Sequence, residues 1–170
     1  MELKDFIRDI PDFPSKGIMY KDITPLLANA EAMQTAVNLF LKQLPDQNIQ
    51  KVVGIESRGF FFATLLAQKL NAGFVPVRKK GKLPYRTFNE IYSLEYGEDE
   101  LEIHEDAIRE GERVLLHDDV LATGGTAAAT CKLIEKCGGI IVQCNFLVGL
   151  DFLKGEENLK NYQVNSLLHY

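Results

Sequence analysis

Glu112-Arg113-Val114-Leu115-Leu116-His117-Asp118-Asp119-Val120-Leu121-Ala122-Thr123-Gly124-Gly125-Thr126 is the stretch whose reading decides the fold. Its first half is short, apolar and partly β-branched, which predicts a buried strand centred on Val114 to Leu116. Asp118 and Asp119 stand where that strand is expected to end, and the small residues Ala122 to Thr126 lead into a helical stretch from Ala127. A strand that feeds a glycine loop and a helix start gathers backbone N–H groups with no intrahelical partner. Those donors and the positive end of the helix dipole favour a phosphate. Gly124 and Gly125 let the backbone approach an anion, and Thr123 and Thr126 add hydroxyl donors. Two carboxylates would repel the phosphate itself, so they serve another part of a ligand: ribose hydroxyls or a water-coordinated Mg2+. The plainer alternative is a strand–turn–helix connection of any α/β protein, with both acids solvated.

Outward from that run, short apolar strands alternate with helices. Val52 to Ile55 predicts a buried strand followed by Glu56-Ser57-Arg58-Gly59, and Phe74 to Val77 predicts another, followed by the cationic turn Arg78-Lys79-Lys80-Gly81-Lys82. Met33, Ala36, Val37, Phe40, Leu41 and Leu44 form one stripe of a helix over 31–44, stopped by Pro45-Asp46. The helix over 60–70 is apolar almost all round, so it needs cover on more than one side, and a subunit interface is one such cover. Ile140 to Val148 and Val164 to Leu168 complete the strands, with a loop and short helix between Asp151 and Leu159. The pattern is a doubly wound α/β fold, a mostly parallel sheet flanked by helices, with three loops at strand ends.

Two regions lack a clear period. Residues 2–9 are compatible with a short amphipathic helix, after which Pro11 and Pro14 impose an irregular segment whose Phe13 and Ile18 call for cover. Residues 83–100 carry no strong alternation, and a span of that kind inside a domain is typically a lid. The acids from Glu98 to Asp106 are expected as a solvated edge.

A length of 170 residues suits one domain, and 46% hydrophobic with 25% charged residues is ordinary for a globular chain. A net charge of −5 argues against a general nucleic-acid binder. No apolar run approaches ~20 residues, and the first residues lack the basic and apolar regions of a signal peptide, so no membrane segment or export is expected. Cys131, Cys137 and Cys144 lack Cys-x-x-Cys spacing and are expected as core residues in a reducing cytoplasm. There is no Gly-x-x-x-x-Gly-Lys-Ser/Thr and no Gly-x-Gly-x-x-Gly after a strand, which sets aside P-loop and dinucleotide sites. No His or Cys cluster offers a direct metal site.

The run Val114 to Thr126 resembles the phosphoribosyl-diphosphate (PRPP) signature of type I phosphoribosyltransferases. Phe13 to Pro25, Glu56-Ser57-Arg58-Gly59-Phe60, and Arg78 through Tyr96-Gly97 narrow the resemblance to that family's adenine-specific members, over nearly the whole chain. The resemblance implies a single domain over 1–170, with 1–30 as an N-terminal arm and base-binding hood and 79–100 as a mobile lid loop. It implies transfer of ribose 5-phosphate from PRPP to N9 of adenine, giving AMP and pyrophosphate, with Mg2+ carried mainly by PRPP and water. It also implies a cytoplasmic homodimer.

Carried over residue by residue, Ala122, Thr123, Gly124, Gly125 and Thr126 would hold the 5′-phosphate, and Asp118 and Asp119 the ribose hydroxyls. Arg58, Arg78 and Lys82 would bind pyrophosphate. Adenine would lie between Tyr20 and Val120, its edge read by the backbone of Met19 and Lys21. Glu95 and Tyr96 would belong to the lid, with Glu95 handling a purine proton near N7 or helping to close the site. Alternation along a regular strand would point Asp118 and Asp119 to opposite faces, so both reach one ligand only if the strand has ended. His117, Lys80 and Val120 depart from the family's usual residues. His117 is either a neutral core histidine or a source of pH dependence. Two alternatives are a non-catalytic PRPP or nucleotide sensor on the same fold, and a phosphoribosyltransferase for another purine.

Overall fold

The protein is described by a computed structural model covering residues 1–45, 48–94 and 97–170. Residues 1–42 and 43–170 form two compact units.

In the first unit a 3-10 turn at Leu3–Phe6 precedes strand β1 (Arg8–Pro11), which pairs antiparallel with β2 (Met19–Asp22) from Arg8↔Asp22 to Pro11↔Met19. The helix expected over 2–9 is therefore a turn and a strand. Pro11 holds Ile10 extended, and Met19 to Asp22 supply the partner that a lone helix turn would lack. The connecting loop is closed by the Gly17 N–H donating to Asp12 Oδ1 at 2.7 Å. Phe13 and Ile18 stay exposed rather than covered; the Phe13 ring meets Tyr20 edge-on, centroids 5.0 Å apart. After the short helix α1 (Thr24–Leu27), Asn29 caps α2 (Ala30–Gln43) by accepting the Ala32 N–H at 2.9 Å. α2 buries Ala32, Ala36, Val37 and Phe40, close to the expected stripe. Of the expected helix stop, Asp46 lies outside the described residues.

The second unit carries a seven-stranded sheet. β3 (Lys51–Ile55), α3 (Gly59–Lys69), β4 (Gly73–Lys79), β5 (Thr87–Ser93), β6 (Glu98–His104), β7 (Arg113–Leu121), α4 (Gly125–Lys136), β8 (Ile140–Gly149) and β9 (Val164–His169) follow in sequence, in the spatial order β5-β6-β4-β3-β7-β8-β9. The five strands from β4 to β9 in that order are parallel, while β6 pairs antiparallel with both β4 and β5. Alternation sorts the core. Val53, Ile55, Val114, Leu116, Cys144 and Phe146 face α4, packing with Leu133 and Ile134. On the other face Phe62 of α3 meets His117, and the absent side chain of Gly54 makes room for Phe60, Ala63 and Phe74. Helices on both faces give the doubly wound arrangement. Cys131 and Cys144 are buried with sulfurs 3.7 Å apart, as expected of core thiols.

The stretch expected as an unpatterned lid is, where described, a β-hairpin, with β5 and β6 in register from Thr87↔His104 to Ser93↔Glu98. Its pattern is hidden because ionic side chains take part in its contacts. Lys132 and Lys136 of α4 reach Glu90 at 3.0 and 2.8 Å, and Lys136 also donates to the Asn89 carbonyl at 2.7 Å. The two ammonium groups, Lys136 foremost, hold the Glu90 carboxyl below its usual range despite partial burial. Of the acids expected to be solvated, Glu98, Glu105 and Asp106 are exposed, while Asp99 and Glu100 are instead counter-ions of the cationic turn. Asp99 pairs with Lys79, and Glu100 lies 2.8 Å from Lys80.

His117 is fully buried, its Nδ1 2.7 Å from Asn145 Oδ1. Burial outweighs that hydrogen bond and lowers its pKa from 6.5 to about 4. It is a neutral core imidazole, and it adds no titration near neutrality. The folded state binds fewer protons than the unfolded chain between those two values. The His117 contribution to stability is therefore complete above pH 6.5 and is lost as pH falls to about 4, an effect on the order of 3 kcal/mol. Urea titrations of the wild type and His117→Leu across this range should give a stability difference that shifts against the wild type as pH falls; a pH-independent difference would refute it.

Candidate active site

β3 leads through α3 to β4 on one side of the sheet, and its neighbour β7 leads through α4 to β8 on the other. At such a divergence the carboxyl ends of two adjacent strands open a crevice, the usual ligand position in open α/β sheets. A cavity of about 450 Å³ lies there, lined by Glu56, Ser57 and Arg58 after β3, by Asp118 to Val120, Ala122 and Thr126, and by Lys79 and Tyr92 from the neighbouring strands. A second space of about 70 Å³ follows the loop itself, bordered by Asp118, Val120, Thr123, Gly124 and Thr126.

The acid pair departs from expectation in an informative way. β7 does not end at Asp118 but continues to Leu121, still paired with β8 through Asp118↔Phe146 and Val120↔Val148. Both carboxylates nonetheless line one cavity, because pairing with β3 stops at Gly54↔His117. Beyond that point β7 overhangs its neighbour, and both sides of the overhang border the same space. The N-terminus of α3 presses against it: a side chain on Gly59 would come within 2.8 Å of Asp118 Oδ1. Arg58 Nε lies 2.9 Å from Asp119 Oδ2, out of line for a hydrogen bond, so the contact is ionic. Asp118 Oδ1 accepts the Asp119 N–H at 2.9 Å. Burial, then the neighbouring Asp119 charge, raises the proton affinity of Asp118 well above that of an ordinary carboxyl. Burial also raises that of Asp119, with the Arg58 guanidinium working against it.

The cations sort into two groups. Lys79 lines the cavity, its ammonium close to Asp99 and 3.4 Å from the Tyr92 hydroxyl. Arg78 and Lys82, expected as pyrophosphate ligands, both pair with Glu56: Arg78 Nη2 lies 3.3 Å from Oε1, and Lys82 contacts the same oxygen. Burial works against charging Glu56, but Lys82, the Lys79 N–H at 2.8 Å and Arg78 outweigh it and hold the carboxyl below its usual range. Arg58, Asp118, Asp119, Val120, Ala122 and Thr126 are thus brought together around the main cavity, with Thr123 and Gly124 along the smaller space. Met19, Tyr20 and Lys21 belong to β2 in the first unit, where Lys21 Nζ pairs with Asp9 at 2.6 Å. Glu95 and Tyr96 lie outside the described residues. Lys79 and Tyr92 were not anticipated as lining residues. Lys79 sits inside the cationic run that the sequence displays, whereas nothing local marks Tyr92.

In the loop, Gly124 adopts a left-handed φ of 82° and caps α4. A side chain there would collide with the Gly155 carbonyl at 2.3 Å, so Gly124 is required by chain packing. Gly125 is the open position: a Cβ at this residue would have no neighbour nearer than 3.8 Å. It leaves the helix start accessible to an anion.

Residues 23–167 match the phosphoribosyl transferase domain family. The chain is 74% identical over 170 residues to the adenine phosphoribosyltransferase of Christiangramia forsetii, covering 100% of this chain and 99% of that one. Among solved structures it is similar to the adenine phosphoribosyltransferase of Rhodothermus marinus, with TM-score 0.95, 54% identity and coverage of 99% and 96% of the two chains. It is also similar to that of Saccharomyces cerevisiae, solved with adenine and D-2,5-dideoxy-2,5-imino-altritol 1,6-bisphosphate, with TM-score 0.94, 44% identity and coverage of 98% and 96%. By fold, site geometry and sequence, this chain belongs to the phosphoribosyl transferase domain family.

Proposed function

We propose that the chain transfers the 5-phosphoribosyl group of PRPP to N9 of adenine, forming AMP and releasing pyrophosphate. The observation that carries this reading is the meeting of a phosphate-type loop and an acid pair in one cavity at the sheet's divergence, in a chain this similar to adenine phosphoribosyltransferases. The C1′–O bond to pyrophosphate breaks and the C1′–N9 bond forms, with the N9 proton lost. Positioning, leaving-group neutralisation and exclusion of water supply the catalysis.

The loop from Ala122 to Thr126 holds the 5′-phosphate, while ionised Asp118 and Asp119 accept hydrogen bonds from the ribose hydroxyls. Arg58 and Lys79 face the pyrophosphate, and Glu56 keeps Arg78 and Lys82 in reserve beside it. Among the described residues no cluster of three or more His, Cys, Asp or Glu side chains is able to hold a metal. The acid pair nevertheless fits Mg2+, which keeps several waters and takes one or two carboxylates alongside substrate phosphates. Carried mainly by PRPP and water beside Asp118 and Asp119, that ion would help neutralise the pyrophosphate.

Met19, Tyr20, Lys21 and Val120 form the base site in this proposal. Adenine offers an acceptor at N1 and a donor at N6, and hypoxanthine reverses both, leaving two buried groups unpaired at ~1–3 kcal/mol each. Glu95 and Tyr96 serve the lid, Glu95 handling a purine proton near N7 or aiding closure. The proposal includes a cytoplasmic homodimer, for which α3 offers apolar surface with Phe61 exposed and Phe60 and Leu65 half-buried.

With PRPP and Mg2+, AMP formation from adenine should exceed turnover of hypoxanthine, guanine or xanthine by at least roughly thirtyfold, the product of two unpaired groups. No turnover of adenine, or preference for an oxopurine, would overturn the assignment. Arg58→Ala should lower kcat/KM by roughly a hundredfold or more with little change in thermal midpoint. Without the guanidinium, Asp119 keeps its proton to higher pH, so the acid limb of the pH–rate profile should move upward. Parallel losses of stability and activity, with an unmoved acid limb, would contradict this role.

A further inference from the structure

The phosphate loop is held from behind by a segment distant in sequence. In the 3-10 turn Gly155–Leu159, Leu159 is buried in the core beneath α4 and fixes the turn. Asn158 Nδ2 donates to the Thr123 carbonyl at 2.6 Å. The backbones interlock on either side of that bond. A side chain on Gly124 would meet the Gly155 carbonyl at 2.3 Å, and one on Gly155 would meet the Ala122 carbonyl at the same distance. Gly155 and Asn158 stand outside the lining of both cavities.

We propose that Asn158 is a positioning residue for sugar-phosphate binding: its amide, with the Gly155 seat, fixes which pole of the Thr123–Gly124 peptide faces the phosphate. The inference rests on the phosphoribosyl-transfer reading of the same site. In a trans peptide the C=O and N–H point in opposite directions. Asn158 draws the Thr123 oxygen away from the cavity side, so the Gly124 N–H points toward it, as an anion requires. Without that donor the peptide is free to turn, presenting a carbonyl oxygen to the phosphate and losing one N–H donor. The brace contacts the loop at Ala122 to Gly124, the part that holds the sugar phosphate in this reading, so the effect falls first on the sugar phosphate.

Asn158 is exposed, and substitution there leaves the core intact. Asn158→Ala should raise KM for PRPP, and the dissociation constant of ribose 5-phosphate measured by calorimetry, roughly three- to tenfold. KM for adenine should stay within about twofold and the thermal midpoint within about 2 °C. Asn158→Asp, of the same shape but with no donor and an added charge, should weaken both further, and Asn158→Gln should recover much of the loss. Unchanged ribose 5-phosphate affinity in the Ala and Asp variants would overturn the proposal. So would an adenine KM or thermal midpoint that shifts in step with PRPP. If the wild type turned over no PRPP, the transfer reading would fail while the ribose 5-phosphate titration still decided the brace. Wild-type turnover with unaltered variants would reject the brace alone.

Discussion

The site depends on a difference in strand length. β3 stops at Ile55 while its neighbour β7 runs on to Leu121. The overhang converts a flat sheet edge into a crevice. It lets two consecutive side chains, which alternation would otherwise separate, border one space, and it places the start of α3 against Asp118. The divergence of the chain at the same two strands brings the Arg58 connection and the phosphate loop to opposite walls. Carrying the pairing two residues past Gly54↔His117 would set Ile55 and Glu56 against Asp118 and Asp119 and close the crevice.

Around that crevice, charge is balanced locally. Lys79, Lys80 and Lys82 each have a carboxylate partner, in Asp99, Glu100 and Glu56, and Arg78 shares Glu56 with Lys82. A cluster of like charges is thereby kept ordered, and under the proposed function a pyrophosphate would have to compete with Glu56 for Arg78 and Lys82. Asp118 and Asp119 show the opposite strategy. They are buried together with one guanidinium between two acids, a state that favours retained protons until hydroxyl donors or a cation share the site.

Features written in consecutive residues were legible. The Val114 to Leu116 core of β7, the Thr123 to Thr126 loop, the α2 stripe and the alternation of strands with helices all follow from local composition and period. The extension of β7 was hidden, because Asp118-Asp119 resembles a strand end and the pairing that prolongs it comes from Phe146 and Val148, far along the chain. The β5–β6 hairpin was hidden for a related reason. Glu90, Asp99 and Glu100 are stabilised by lysines elsewhere, so its residues look solvated until those partners are placed. Of the site residues, those inside the signature run could be found by motif. Lys79 was discernible only as one cation among four, and Asn158 and Gly155 act through contacts that no local pattern announces.

The lysine contacts of Glu90 have a further consequence. Lys132 and Lys136 tether β5 at Glu90, opposite Leu101 in the hairpin register, and Leu101 is fully buried. Any displacement of the hairpin end therefore pivots at that pair, leaving β5 only three residues beyond it, Ile91 to Ser93, an arm of about 10 Å at strand rise. Ile91 on that arm and Leu94 just beyond it are exposed, whereas Tyr92 on the arm packs against the core cluster and lines the main cavity. Movement of that arm would transfer one packed aromatic side chain, Tyr92, between core and water, so opening would carry a small positive heat-capacity change. Its equilibrium would vary only gently with temperature, and ionic strength, acting on the tether, would be its stronger control.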